Sequence, residues 1–320
     1  MKIAIIGTGG VGGYFGGKLA RVGFDVTFLA RGEHLKAIQQ NGLAIKSIQG
    51  DVKLDAVKAT GRINEIGVVD LAILAVKAWQ IKDIVKDLAN LIKQDTIILP
   101  LQNGVSIIDE LKEQITQEHI IGGLCEIMSK IESPGVINHF GLEPTVVFGE
   151  LYNTKTERIS KIKALFEKAG VKANISENID ADLWKKFILT SVCGGLLAIT
   201  KTTYGELREL KETRQLMIDV LTEAFCLSQK IGVQIEPDYV DKAISFIDSF
   251  PYNSTSSLTR DIWKGRPSEI EYRNGTVVKL AEKYGMEVPI NKFVYHCILP
   301  MEIKARKPLG NKKIDLNNYL

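Results

Sequence analysis

The run Gly7-Thr8-Gly9-Gly10-Val11-Gly12 has the G-x-G-x-x-G spacing, whose chemistry is the holding of a pyrophosphate. The first glycine permits a tight turn, the second lets the backbone approach the anion, and the third lets a helix pack close to the preceding strand. The N-terminus of that helix then favours negative charge. Such a pattern is weak on its own, so its flanks matter. Lys2–Ile6 is a short apolar run directly before it, and Val11, Phe15, Leu19 and Val22 recur at helical spacing until Gly23. A second apolar run, Val26–Ala30, completes a strand-helix-strand unit with parallel pairing. At the tip of that second strand an acid would bond the ribose hydroxyl of NAD, but here Arg31 follows. A guanidinium offers paired, charge-assisted bonds to a 2'-phosphate, so the expected cofactor is NADPH.

Other polar groups sit where ligands of an open parallel sheet bind, beyond the carboxyl ends of the strands. Lys77 follows one predicted central strand, and Asn103 follows the next. Lys77 reads either as a contact to a cofactor or substrate anion or as a solvated lysine. Asn103 reads either as a partner of the nicotinamide or its ribose or as a helix N-cap. Later, Asp182-Leu183-Trp184-Lys185-Lys186-Phe187 places two lysines early in a helix. Adjacent lysines point in different directions, so one can reach solvent while the other, partly desolvated, becomes a proton donor. Ser256-Ser257 and the segment Arg266 to Gly275, with Ser268 and Glu269, could hold a small oxo acid or could simply cap helices.

These residues need elements to position them. Leu71–Val76 and Thr96–Leu101 read as central strands buried on both faces, separated by the helical Ile81–Ile92. Leu43–Ile48 and Val52–Val57 read as a hairpin, and Ile120–Gly149 as an antiparallel extension of the same sheet. Glu157–Ala169 and Val171–Ile175 add a helix and a strand. Beyond about Asn178 helical periodicity takes over, as at Leu216, Val220, Leu221, Leu227 and Ile231, with Val192 on an apolar helix flank. The predicted fold class is therefore α/β, with a Rossmann-type dinucleotide-binding domain over residues 1–178 and an all-α-helical domain over 179–320, without repeats or low-complexity tracts.

Composition narrows the function classes. A formal charge of +3 from 41 bases and 38 acids gives no reason to expect a nucleic-acid or membrane partner. Four separated cysteines, Cys125, Cys193, Cys226 and Cys297, suggest neither a zinc site nor a disulfide framework. No metal is expected. Met1 leads directly into a strand without signal-peptide features, and no apolar run reads as long enough to span a membrane, so the expected location is cytoplasmic. Lys304, Arg306, Lys307, Lys312 and Lys313 read as a solvated basic tail, and the apolar helices of the second half are compatible with a homodimer.

In order along the chain, the glycine run, Lys77-Ala78-Trp79-Gln80, Gln102-Asn103-Gly104, Trp184-Lys185-Lys186, Ser256-Ser257, Glu269-Ile270-Glu271-Tyr272 and Asn274-Gly275 resemble the ketopantoate reductase (2-dehydropantoate 2-reductase) family across nearly the whole chain. The resemblance implies NADPH-dependent reduction of 2-dehydropantoate to (R)-pantoate, a step of pantothenate and coenzyme A synthesis. It implies Lys186 as general acid, Glu269 as its assistant and partner of the substrate hydroxyl, and Ser257 as ligand of the substrate carboxylate. Asn103 and Lys77 then stand at the junction of cofactor and substrate, and Arg31 at the 2'-phosphate. Four and eight residues after the lysine the family places asparagines that hold substrate, whereas this chain has Thr190 and Gly194. Thr190 keeps a hydroxyl for substrate, but losing one polar contact shifts discrimination by about 1–3 kcal/mol. The alternatives are therefore a reductase of another 2-oxo acid, a non-catalytic NADPH-binding regulator, and a related β-hydroxy acid or imine-type dehydrogenase.

Overall fold

The structure, a computed structural model, describes residues 1–307 apart from the side chains of Ser191 and Val192. The expected tail residues Lys312 and Lys313 lie outside the described residues. The chain divides into two compact units. One comprises Met1–Gln102 and Ser106–Leu183, and the other Asn103–Val105 with the chain from Trp184 onward. The expected boundary at residue 178 coincides with the start of helix α6, Ile179–Thr200, whereas packing divides the chain about one turn later, within that helix.

The first unit opens with β1 (Lys2–Ile6), α1 (Gly10–Arg21), β2 (Asp25–Leu29) and α2 (Gly32–Asn41). Next come β3 (Leu43–Ser47), β4 (Val52–Leu54), β5 (Lys58–Thr60), β6 (Leu71–Leu74), α3 (Ile81–Leu88), β7 (Ile97–Pro100) and α4 (Ile107–Lys112). β8 (Gly122–Ser133), β9 (Val136–Gly149), α5 (Glu157–Lys168) and β10 (Lys172–Ile175) follow, before α6. A five-stranded parallel sheet has the order β5-β2-β1-β6-β7, so the strand order reverses at β1 and β6, the switch point where doubly wound sheets bind ligands. β6 and β7 are buried along their whole length, as their unbroken apolar runs require. The short edge strand β5, without an apolar run, had no signal in the sequence.

The expected hairpin forms as β3–β4, with Leu43 opposite Leu54 and Ile45 opposite Val52. The expected antiparallel extension of the first sheet is corrected: β8 and β9 pair with each other, and β9 pairs in parallel with β3 and β10, making a second sheet. An isolated bridge between Ile98 and Ile120 links this stretch to β7. Helix α1 explains why two sheets form. A side-chain carbon at Gly16 would lie 2.6 Å from Ile5 and Phe28 of the first sheet, and one at Gly13 would lie 2.7 Å from Ile137 of the second. A carbon at Gly17 would lie 2.5 Å from Ile45. Two glycine stripes thus let one helix touch sheets on both sides, offsetting the roughly 1 kcal/mol that each glycine costs a helix.

In the second unit, α6 is followed by α7 (Tyr204–Glu209), α8 (Lys211–Ile231), α9 (Tyr239–Asp248), α10 (Ser257–Trp263), α11 (Asn274–Lys283) and α12 (Pro289–Arg306). Val220, Leu221 and Leu227 of α8 are buried as their spacing predicts. The expectation that no apolar run reaches membrane-spanning length is also corrected. α6 is long and apolar enough by length and composition, but 62% of its apolar window is buried within the protein, as in a core helix.

Candidate functional site

The glycine run occupies the turn from β1 into α1. Gly7 has φ +103°, which disfavours any side chain, and a carbon there would lie 2.7 Å from the Val76 nitrogen just after β6. A side-chain carbon at Gly12 would collide with the Gly7 carbonyl oxygen, and one at Gly10 would lie 2.7 Å from the Ser129 carbonyl oxygen. At Gly9, in contrast, it would meet nothing within 4 Å. Thr8 is buried, and both its backbone N–H (3.0 Å) and its hydroxyl (2.9 Å) donate to the Leu29 carbonyl, tying the turn to β2. Val11 lies in the first turn of α1, which has no side-chain N-cap and no acidic residue, so its leading amides remain available to an anion.

Arg31 is exposed at the N-cap of α2. Glu33, the acid that follows, is paired with Lys36 at 2.8 Å in solvent. Lys77 is half-buried directly after β6, and its backbone N–H donates to Gln80 Oε1 at 3.2 Å. Two residues of this unit escaped sequence reasoning. Gln102, just beyond β7, is 6% exposed, and neither atom of its amide has a hydrogen-bond partner. His34 bridges Thr8 and the β8–β9 turn. The Gly135 N–H donates to Nδ1 at 3.0 Å, so Nε2 carries the proton and donates to the Thr8 carbonyl at 2.8 Å. Burial pushes the His34 pKa below the usual histidine value, against the opposing pull of the Thr8 bond, which keeps this acceptor-donor arrangement neutral. An open space above Gly9 and an uncapped helix start together form a cradle that a pyrophosphate-bearing dinucleotide fits.

In the second unit the adjacent lysines are told apart. Lys185 pairs with Glu236 at 2.6 Å, whereas Lys186, half-buried, lies one step of about 100° further round the helix. Trp184 is buried edge-to-face against Phe187, at 5.3 Å between rings, which fixes this turn of α6. One turn on, the Thr190 hydroxyl donates to the Lys186 carbonyl at 2.7 Å. Thr190 was expected to offer its hydroxyl to substrate, but its proton is committed to the helix and only its acceptor capacity remains.

Glu269 is 5% exposed and accepts from Asn103 Nδ2 at 3.3 Å, a contact within the second unit although the two are 166 residues apart. Asn103 does not cap α4, whose N-cap is Ser106. Glu269 is held from behind, because the backbone N–H (2.9 Å) and hydroxyl (2.6 Å) of the buried Ser268 donate to Glu302 of α12, which also accepts from Arg306. Ser268 thus serves as an anchor. Glu271 accepts from the Tyr295 hydroxyl at 2.5 Å and pairs with Lys279, and Asn274 donates to Asn291, so both are framework residues.

Ser257 begins α10, which Ser256 caps by accepting from the Thr259 N–H at 3.0 Å. Arg273, unnoticed in the sequence as a site residue, donates to the Thr190 carbonyl and to Ser257 Oγ at 3.3 Å, and lies 3.6 Å from Glu269 Oε2. A side-chain carbon at Gly194 would stand 2.6 Å from Ser256 Oγ, so α10 fills the space a longer residue would need. Asn103, Thr190, Ser257, Glu269 and Arg273 are therefore one connected group, built around the helix that carries Lys186. A buried carboxylate, an ammonium and hydroxyl and guanidinium groups so assembled can bind an oxo acid and protonate a developing alkoxide.

Residues 3–153 match the family profile described as ketopantoate reductase PanE/ApbA, and residues 178–302 match its C-terminal counterpart. An uncharacterized oxidoreductase of Bacillus subtilis (strain 168), YkpB, is 31% identical over 297 residues, covering 92% of this chain and 97% of its own. A 2-dehydropantoate 2-reductase of a Nostoc species is 30% identical over 300 residues, with 92% and 93% covered. The solved ternary structure of a D-mandelate dehydrogenase with NADH and anilino(oxo)acetate superposes at a TM-score of 0.88 and 26% identity, covering 96% of this chain and 100% of its own.

Proposed function

The chain belongs to the ketopantoate reductase PanE/ApbA family, and we propose that it is an NADPH-dependent reductase of 2-dehydropantoate, forming (R)-pantoate for pantothenate and coenzyme A synthesis in the cytoplasm. The observation that carries this reading is the Asn103–Glu269 hydrogen bond, which joins two of the residues expected to meet the keto acid from opposite parts of the chain. A bound nicotinamide would supply the hydride for the keto carbon. Lys186 donates a proton to the keto oxygen and stabilises the alkoxide as charge develops. Glu269, oriented by Asn103 and held through Ser268, directs that lysine and the substrate hydroxyl, and Ser257 binds the substrate carboxylate. The Gly7–Gly12 turn takes the pyrophosphate, Lys77 contributes positive charge to the bound anions, and the exposed Arg31 takes the 2'-phosphate.

A second reading, reduction of a different 2-oxo acid, is favoured by Thr190 and Gly194. One hydroxyl proton is already used and the other position has no side chain, so two donors for a hydroxylated substrate are missing. The similar D-mandelate dehydrogenase makes NADH the rival cofactor to test. Oxidation of NADPH and NADH is followed optically with 2-dehydropantoate and a panel of 2-oxo acids. Turnover with NADPH and 2-dehydropantoate is expected, and turnover confined to another oxo acid or to NADH would replace the corresponding part of the proposal. Lys186→Ala is expected to leave nucleotide affinity intact while lowering kcat by about 10²–10⁴, and equal loss of both would remove Lys186 from the proton-donor role.

A further inference from the structure

Arg273 is 2% exposed, yet its N–H donors outnumber the acceptors around it. One terminal nitrogen donates to the Thr190 carbonyl, and the other donates to Ser257 Oγ at 3.3 Å. Glu269 Oε2 stands at 3.6 Å, close enough to balance the charge but beyond hydrogen-bond distance. Arg273 Nε is buried with no partner at all. A buried guanidinium left incompletely bonded is costly, and it persists where an oxyanion completes it. Its neighbours decide which oxyanion. They are Thr190 and Ser257, at positions that the family resemblance assigns to substrate, and Glu269 beside them. The two side chains that would otherwise donate there are unavailable, since the Thr190 proton goes to Lys186 O and Gly194 has none.

We infer that Arg273 is a substrate-specificity residue, its guanidinium acting with the Ser257 hydroxyl to bind the carboxylate of a 2-oxo acid. This deepens the proposed function and rests on it for the identity of the site. Ser257 Oγ accepts from Arg273, so its own proton can go to one carboxylate oxygen while the guanidinium donates to that anion as well. Glu269 compensates the positive charge before the anion arrives and is drawn toward Asn103 rather than into direct bonding with the arginine. The substrate class is then a 2-oxo monocarboxylate recognised as an anion, with discrimination against its neutral amide or ester.

The test is calorimetric titration of the protein, with and without NADP+, using oxamate and its neutral counterpart oxamide, neither of which needs to be reduced. The wild type is expected to bind oxamate about 10–100-fold more tightly than oxamide, the range of one charge-assisted hydrogen-bonded contact. Arg273→Leu and Arg273→Gln are expected to erase that preference with nucleotide affinity unchanged, and added guanidinium ion is expected to restore oxamate binding to Arg273→Ala. Restoration by a free ion distinguishes recognition from a merely structural role. A wild type without preference, folded variants that keep it, or failure of guanidinium rescue would each overturn the inference. Oxamate selectivity without turnover of any oxo acid would instead sink the proposed reduction while leaving the carboxylate site in place.

Discussion

At Gly194 the absence of a side chain is a packing requirement, because Ser256 Oγ occupies the position a β-carbon would need, at 2.6 Å, and Leu258 closes in behind it. The Thr259 hydroxyl then donates to the Gly194 carbonyl at 2.9 Å, locking α10 onto α6. Restoring the family's asparagine is therefore not a simple gain of a hydrogen bond. Gly194→Asn is expected to destabilise the protein by about 1–3 kcal/mol through overpacking and to lower activity rather than improve use of a hydroxylated substrate. Thermal unfolding and kcat/KM for 2-dehydropantoate check both parts, and an unchanged melting temperature with raised kcat/KM would contradict the packing argument. In the sequence, Gly194 read only as a missing contact and Arg273 as one polar residue among several. The reason is physical: what a side chain meets depends on helices brought together from distant parts of the chain.

At the scale of elements, the turn between β1 and α1 was fully legible, since its strand, glycines and helix lie within a few residues and each obeys a local rule. The structure adds a division of labour that spacing cannot give. A β-carbon at Gly9 projects into open space, whereas one at Gly12 strikes the Gly7 carbonyl. Gly9→Ala is expected to leave stability within about 0.5 kcal/mol of wild type while weakening NADPH binding at least tenfold. Gly12→Ala is expected to lower stability as well as binding, by forcing α1 off the first sheet. Chemical denaturation paired with nucleotide titration separates the two, and equal stability losses would refute the division. The second sheet was only half legible. The β3–β4 hairpin is local, but β9 pairs with β3 by matching Ala44 to Val136, a choice made when both pack against α1.

Across the whole molecule, the four widely spaced cysteines occupy three different settings. Cys125 and Cys193 are buried, Cys297 is partly covered and Cys226 is exposed. Burial pushes the Cys193 thiol up to about 12, far from a reactive thiolate. A thiol reagent at neutral pH is expected to label Cys226 rapidly and Cys297 more slowly, and to reach Cys125 and Cys193 only on unfolding, as peptide mapping of the modified protein would show. Fast labelling of Cys193 in the native state would contradict its buried setting. The sequence by itself determined the dinucleotide-binding turn, the central strands, the helical second half and the family, because periodicity, glycine spacing and ordered motifs are properties of neighbouring residues. Only the tertiary structure decided that Lys185 pairs with Glu236, that Asn103 meets Glu269, and that Arg273 stands between Thr190 and Ser257. Those outcomes depend on which buried polar groups find partners when distant segments close on one another, and no local pattern encodes that choice.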